Sequence, residues 1–334
     1  MNTETRIKDR ITFDEAKKSL ASMNLIDGFL FDSAIEDKED AKIVMGNILK
    51  AIFNRTFVID DVTSQKSYQA IDSAYHGIRF DAYIEEDLES DNLIATVYDV
   101  EMENREADRK YLPKRFRYYS ALHDVKKLGS GDGYDKLPNF VSVTILSYDP
   151  FFAGDMYFEA STTLITHPDI EYDDGVRHIY LYCNGRPNFK VADSDLDSDF
   201  CKDSPSGIIS ISPEHSQKLQ EMLKYIVSGQ KPSAPNTDID AIEDIVAKIK
   251  NRKEVIDEYM RQWDRELSIK REVREETTRE VKEEDALEMI RFCKEEGISD
   301  DKIRNRLNIK FELSPQTIND LFAKIEAENT VTTK

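Results

Sequence analysis

Three acids, Asp81, Glu101 and Glu103, are the residues of this 334-residue chain best spaced to do chemistry. Glu101 and Glu103 stand two apart in YDVEME (98–103). In a strand they share one face with Asp99, while Tyr98, Val100 and Met102 take the other. Asp81 lies between Phe80 and Ala82, at the end of a largely apolar run. If the two runs pair as a hairpin across the acidic turn at Glu85 to Asn92, Asp81 falls beside Glu101 and Glu103. Carboxylates grouped on adjacent strands suit a hard divalent cation, magnesium first and manganese as the alternative. The same alternation also describes a solvated sheet face in an acid-rich chain, so spacing alone leaves both readings open.

The next segment carries the opposite charge. Arg105, Arg109, Lys110, Lys114, Arg115 and Arg117 crowd into it with Tyr111, Tyr118 and Tyr119, and Pro113 opens its helical half. An acidic pair followed by a basic, aromatic helix is a layout that can hold a metal against a phosphodiester backbone. Other elements must position it. Ala41, Val44, Met45, Ile48, Leu49 and Ile52 predict a buried helix over about 37–53, and FVSVTIL (140–146) predicts a central strand. Strand material is also expected at 56–62, 66–71, 156–162 and 177–182, and a helix from Ser212–Pro213. His76 beside Gly77 reads as structural or as a helper at the site, and DSDLDSD (193–199) as a solvated loop lacking the glycine and distal glutamate of a calcium loop.

Six ordered pieces carry a resemblance: LIDGFLFDSAIEDKEDAKIVMGNIL (25–49), YHGIRFDAY (75–83), YDVEME (98–103), LPKRFRYYSALHD (112–124), GDGYDKLPNFVSVTIL (131–146) and YDPF (148–151). Over about residues 20–230 the chain resembles the Rpn family of recombination-promoting nucleases and transposases, a branch of the PD-(D/E)XK superfamily. The resemblance implies an α/β, restriction-endonuclease-like core with a mixed central sheet flanked by helices, and magnesium-dependent DNA cleavage linked to recombination or mobile elements. Asp81 matches the metal-binding aspartate and Glu101 the acid of the second strand. Glu103 stands where this branch usually has glutamine and the superfamily lysine; an ionised carboxylate cannot donate a hydrogen bond as those can. It reads as a third catalytic acid, as a metal ligand, or as the mark of a weakened or inactive copy that acts by binding or self-association. Arg115, Arg117 and Tyr119 align with the helix motif and, with Arg105, are the expected nucleic-acid contacts. An acid of the first helix can also join such sites; here Glu36 and Glu39 are the candidates, with solvated surface acids as the plainer reading.

Charge argues in part against a nucleic-acid partner, because 66 acids against 46 bases leave a net charge of −20. The local basic segment answers that objection. Three cysteines, Cys183, Cys201 and Cys293, form neither a metal-spaced pair nor an even disulfide set, and no apolar run approaches a membrane span. A reducing cytoplasm and no membrane partner are expected. The division expected is a lead-in (1–24), the nuclease-like domain (25–228), a proline-bearing linker (229–238), a long amphipathic then charged helix (239–285) and a small helical tail module (286–328). The amphipathic stripe from Ile242 to Leu267 could pack on the core or pair with a second chain as a coiled coil. The tail superficially resembles a helix-turn-helix, but its last helix offers only Lys324 as a cation, which favours protein interaction or capping over DNA reading.

Overall fold

A computed structural model describes residues 10–68, 78–86, 96–191 and 210–331. His76, the acidic run 193–199, Cys201, and the centre of the acidic turn lie outside the described residues. Two compact units divide the chain, Thr12–Tyr259 and one that takes in Met260–Lys334. Among the described residues, no helix is long and apolar enough to cross a membrane.

The first unit opens with three helices, α1 (Phe13–Ser22), α2 (Gly28–Ala34) and α3 (Lys38–Phe53). Each begins at an oxygen-bearing cap. Thr12 and Glu15 form a reciprocal capping box on α1, Asp27 accepts from the Phe29 N–H, and Asp37 accepts from the N–H groups of Glu39 and Asp40. α3 buries eight side chains, including the apolar set expected from its spacing, and ends at Asn54 in the left-handed conformation.

Strands β1 (Ile59–Ser64), β2 (Ser67–Tyr68), β3 (Ile78–Arg79), β4 (Ala82–Glu86) and β5 (Thr96–Glu103) follow, then helix α4 (Leu112–Lys127) and strand β6 (Asn139–Leu146). The unit continues through β7 (Tyr157–Ser161), β8 (Val176–Tyr182), β9 (Lys190–Val191), β10 (Ser210–Ile211), α5 (Pro213–Ser228) and α6 (Thr237–Asn251). Six of these strands make a mixed sheet in the order β1-β4-β5-β6-β8-β7. β4 and β5 pair antiparallel, as the hairpin reading expects, with Ala82 opposite Val100. β5, β6 and β8 run parallel, so α4 is the crossover between β5 and β6. β2 pairs with β3, and β9 with β10, in separate two-stranded pieces.

β5 is therefore central and covered on both faces. On one, Tyr98 packs edge-on against Phe53 and Phe57 at ring separations of 5.5 and 5.3 Å. On the other, α4 brings Phe116, Tyr119 and Leu122 down among Phe80, Phe140 and Tyr180. The acid-bearing face is thus a packed interior, not the solvated face that alternation also allowed.

The 229–238 segment does not separate the units. It links α5 to α6, whose Ile239, Ile242, Val246 and Ile249 are buried, with α6 packed on α1, α2 and α3. Instead of one helix over 239–285, the chain breaks at Arg252 and starts again as α7 (Lys253–Glu295). Arg252 is extended and its guanidinium pairs with Glu36 at 3.0 Å. The division between units falls within α7, after Tyr259.

In the second unit α7 gives way at Gly297, whose positive φ of 70° suits a residue without a Cβ. Helices α8 (Asp300–Phe311) and α9 (Pro315–Val331) complete a small core of Ala286, Leu287, Ile290, Ile303, Leu307 and Phe322 among others. Two cations of α8 touch that core: Arg304 stacks on Phe322, and the exposed Arg306 donates to the Cys293 sulfur.

Candidate active site: a buried acid cluster beside Arg115

β4 and β5 set the site by register. Because Ala82 faces Val100, Asp81 stands at the mouth of the hairpin next to Glu101, and its backbone N–H donates to Glu101 Oε1 at 3.4 Å. Glu103 lies one pleat further on, on the same face. All three expected acids share one neighbourhood, and Glu101 and Glu103 are buried.

Burial dominates the electrostatics of Asp81 and Glu101. It raises Asp81 to about 6, helped by Asp32 and opposed by Arg79 and Arg115. It raises Glu101 to about 8, helped by Asp81 and opposed by Arg115. Asp99 is wholly buried, and burial followed by Glu101 and Asp81 pushes it well above the ordinary carboxylate range. Both Asp99 oxygens lack a hydrogen-bond partner. Its register neighbours are engaged elsewhere, Tyr83 with His123 Nε2 at 3.3 Å and Ser142 with His178 Nδ1 at 2.7 Å. Thr144, opposite Glu101 on β6, also has an unpartnered hydroxyl.

Arg115 answers the acids from α4. Its Nη1 donates to Glu103 Oε2 at 2.8 Å and its Nη2 lies 3.5 Å from Glu101 Oε2, while its Nε has no partner. The second Glu103 oxygen accepts from the Arg105 backbone N–H at 2.7 Å. The four expected nucleic-acid contacts thus separate by position. Arg115 is inside the acid site, and Tyr119 is half-buried, edge-on to Phe80 and Phe116. Arg117 is exposed on α4, and the exposed Arg105 side chain lies 3.5 Å from Asp108.

Sequence reasoning missed two residues here. Asp32, on α2 ahead of the helix expected to supply an acid, is the one that reaches the site electrostatically, and Gln65 donates to its carboxylate at 2.6 Å. Neither proposed alternative does so: Glu36 pairs with Arg252, and the side chain of Glu39 is 83% exposed. The available signal was a charged residue inside FLFDSA, where Leu30, Phe31 and Ala34 are all buried. Tyr148 is the second. It is buried with an unpartnered hydroxyl, it feels the charge of Glu103, and Arg109 stacks on its ring.

No family model matches the chain, and neither a curated protein nor a solved structure matches it. Function must be argued from the residues. Among the described residues, no three His, Cys, Asp or Glu side chains stand ready as a metal-binding group. Magnesium does not require three, because it commonly takes one or two carboxylates and completes its shell with water and substrate phosphate oxygens. The donor chemistry of Asp81 and Glu101, with the orphaned Asp99 carboxylate behind them, fits such an ion.

Proposed function

We propose that the protein is a magnesium-dependent DNA endonuclease of the PD-(D/E)XK type, related to the Rpn nucleases. The observation that carries this reading is the group of acids Asp81, Asp99 and Glu101, the last two buried, beside the Arg115 guanidinium. Burying several carboxylates together is costly, and a sheet interior retains them where a cation repays that cost. The six ordered sequence pieces support the same reading, as does the α/β architecture with its mixed sheet.

Asp81 and Glu101 would hold the ion, with manganese as the alternative metal. A divalent cation there supplies Lewis acidity toward a phosphodiester and neutralises charge that develops on its oxygens. The chain's own residues do the rest. Glu103, fixed by the Arg105 N–H and Arg115, can accept a proton or orient a water but cannot donate in place of the usual glutamine. Arg117, exposed on α4, and Arg105 next to the site offer positive charge to the backbone of a DNA partner. A homo-oligomer belongs to this reading too, supported by the exposed Trp263, Ile269, Val273 and Val281 of α7.

Supercoiled plasmid cleavage in magnesium or manganese tests it. The natural chain should cut, and Asp81→Ala and Glu101→Gln should each lower the rate by about two orders of magnitude or more. Equal cutting by the natural chain and Asp81→Ala would remove the metal site from the mechanism. One observation favours a second reading, a nuclease-fold protein that binds without cutting: Glu103 is tied up by Arg115. Silence from the natural chain with clear cutting by Glu103→Gln would establish that silenced form.

A further inference from the structure

Glu103 does more than depart from a usual glutamine. It anchors a positive charge inside the acid site. The guanidinium of Arg115 is held at 2.8 Å by Glu103 and reaches to 3.5 Å from Glu101. A glutamine at 103 would be neutral and would hold that guanidinium less strongly. Arg115 is also incompletely satisfied, since its buried Nε has no partner, and about a quarter of its side chain (26%) reaches solvent. A long side chain with an open route and one spare donor can leave its partners without unfolding the helix that carries it. Like charges exclude one another here, because a divalent cation on Asp81 and Glu101 would sit against the same Glu101 carboxylate that Arg115 approaches.

We propose that Arg115 is a built-in counter-ion of the acid site, displaced when a divalent cation binds and thereby released toward a substrate phosphate. This inference rests on the cation reading above. It makes metal loading and phosphate capture one exchange: Arg115 stabilises the empty site through Glu103 and Glu101, and the arriving cation takes over that work. Arg115 then moves from the acids to the phosphate, and its state reports occupancy. It also assigns Glu103 a task that glutamine would perform less well, which is to park the arginine.

Isothermal titration of the full-length protein with manganese chloride tests the exchange. Arg115→Met should bind Mn2+ about tenfold more tightly than the natural chain, because no internal cation competes. It should also melt lower in EDTA and gain more in melting temperature when Mn2+ is added. Asp81→Asn should lose the binding in either background, which ties the heat to this site. Equal or weaker binding by Arg115→Met, with the natural chain binding well, overturns the counter-ion role and leaves the nuclease reading standing. No binding by either chain removes the cation site itself, and the inference with it. Should Arg115→Met fail to fold, the natural chain still decides the matter by NMR. The Arg115 Nε–H resonance should shift as magnesium saturates the protein, and an unchanged resonance at saturation overturns the exchange.

Discussion

Asp81 and Glu101 illustrate at the residue scale what burial does to an acid. Unfolded, each loses its proton near the ordinary carboxylate range; folded and metal-free, they keep it to about pH 6 and about pH 8. The folded state therefore binds more protons over that interval, so their contribution to stability is fully present below about pH 4 and is lost as pH rises through the folded values. Removing metal with EDTA should expose this. The natural chain should melt lower at pH 8 than at pH 5.5, and Glu101→Gln should flatten the difference, worth on the order of a few kcal/mol. A Glu101→Gln protein with the same pH slope as the natural one would show that Glu101 is not held protonated by the fold. Metal binding should run in the opposite sense and strengthen toward pH 8, because the ligands must lose their protons first.

Elements differ sharply in how they are held. α3 has a capped start, a left-handed stop and eight buried side chains, so it is fastened at both ends and along its length. The middle of α7 has none of these. From Arg265 to Asp285 nearly every residue is exposed or half-exposed, and its ion pairs include short-range ones such as Glu266–Lys270 and Glu276–Arg279. Pairs of this kind contribute about 0.2–0.5 kcal/mol each, which leaves local opening easy. Amides of Arg271–Lys282 should exchange hydrogen at least about 100-fold faster than those of Val44–Ile52. Comparable protection in the two segments would mean that something covers α7, and a concentration dependence of that protection would identify a second copy.

At the scale of the whole molecule, two cores are built from separate residue sets. That of the second unit is small, a dozen apolar side chains from α7, α8, α9 and the α8–α9 connection, with Leu307 and Ile303 wholly buried among them. So few residues leave little margin, and a cavity there should be felt. Leu307→Ala should cost that module about 2–5 kcal/mol. Calorimetry should show its transition move down while that of the Thr12–Tyr259 unit keeps its midpoint. A single transition that shifts as a whole would show instead that the two units unfold as one.

The sequence by itself determined the elements whose signals are local. The spacing of α3, the Pro113 start of α4 and the β-branched run of β6 follow from period and caps, which act over a few residues, while alternation made the hairpin of Asp81 with Glu101 one option that the structure realises. Tertiary structure decided what those elements mean. Alternation in YDVEME reads alike on a wet face and a dry one, and only the crossover of α4 above a central β5 made it dry. The same packing chose Asp32 over Glu36 and Glu39, since proximity across 49 residues of chain leaves no periodic trace. Charge pairing followed suit. A basic segment looks free in sequence, yet Arg115 lies against Glu101 and Glu103 because a buried carboxylate draws the nearest guanidinium to itself.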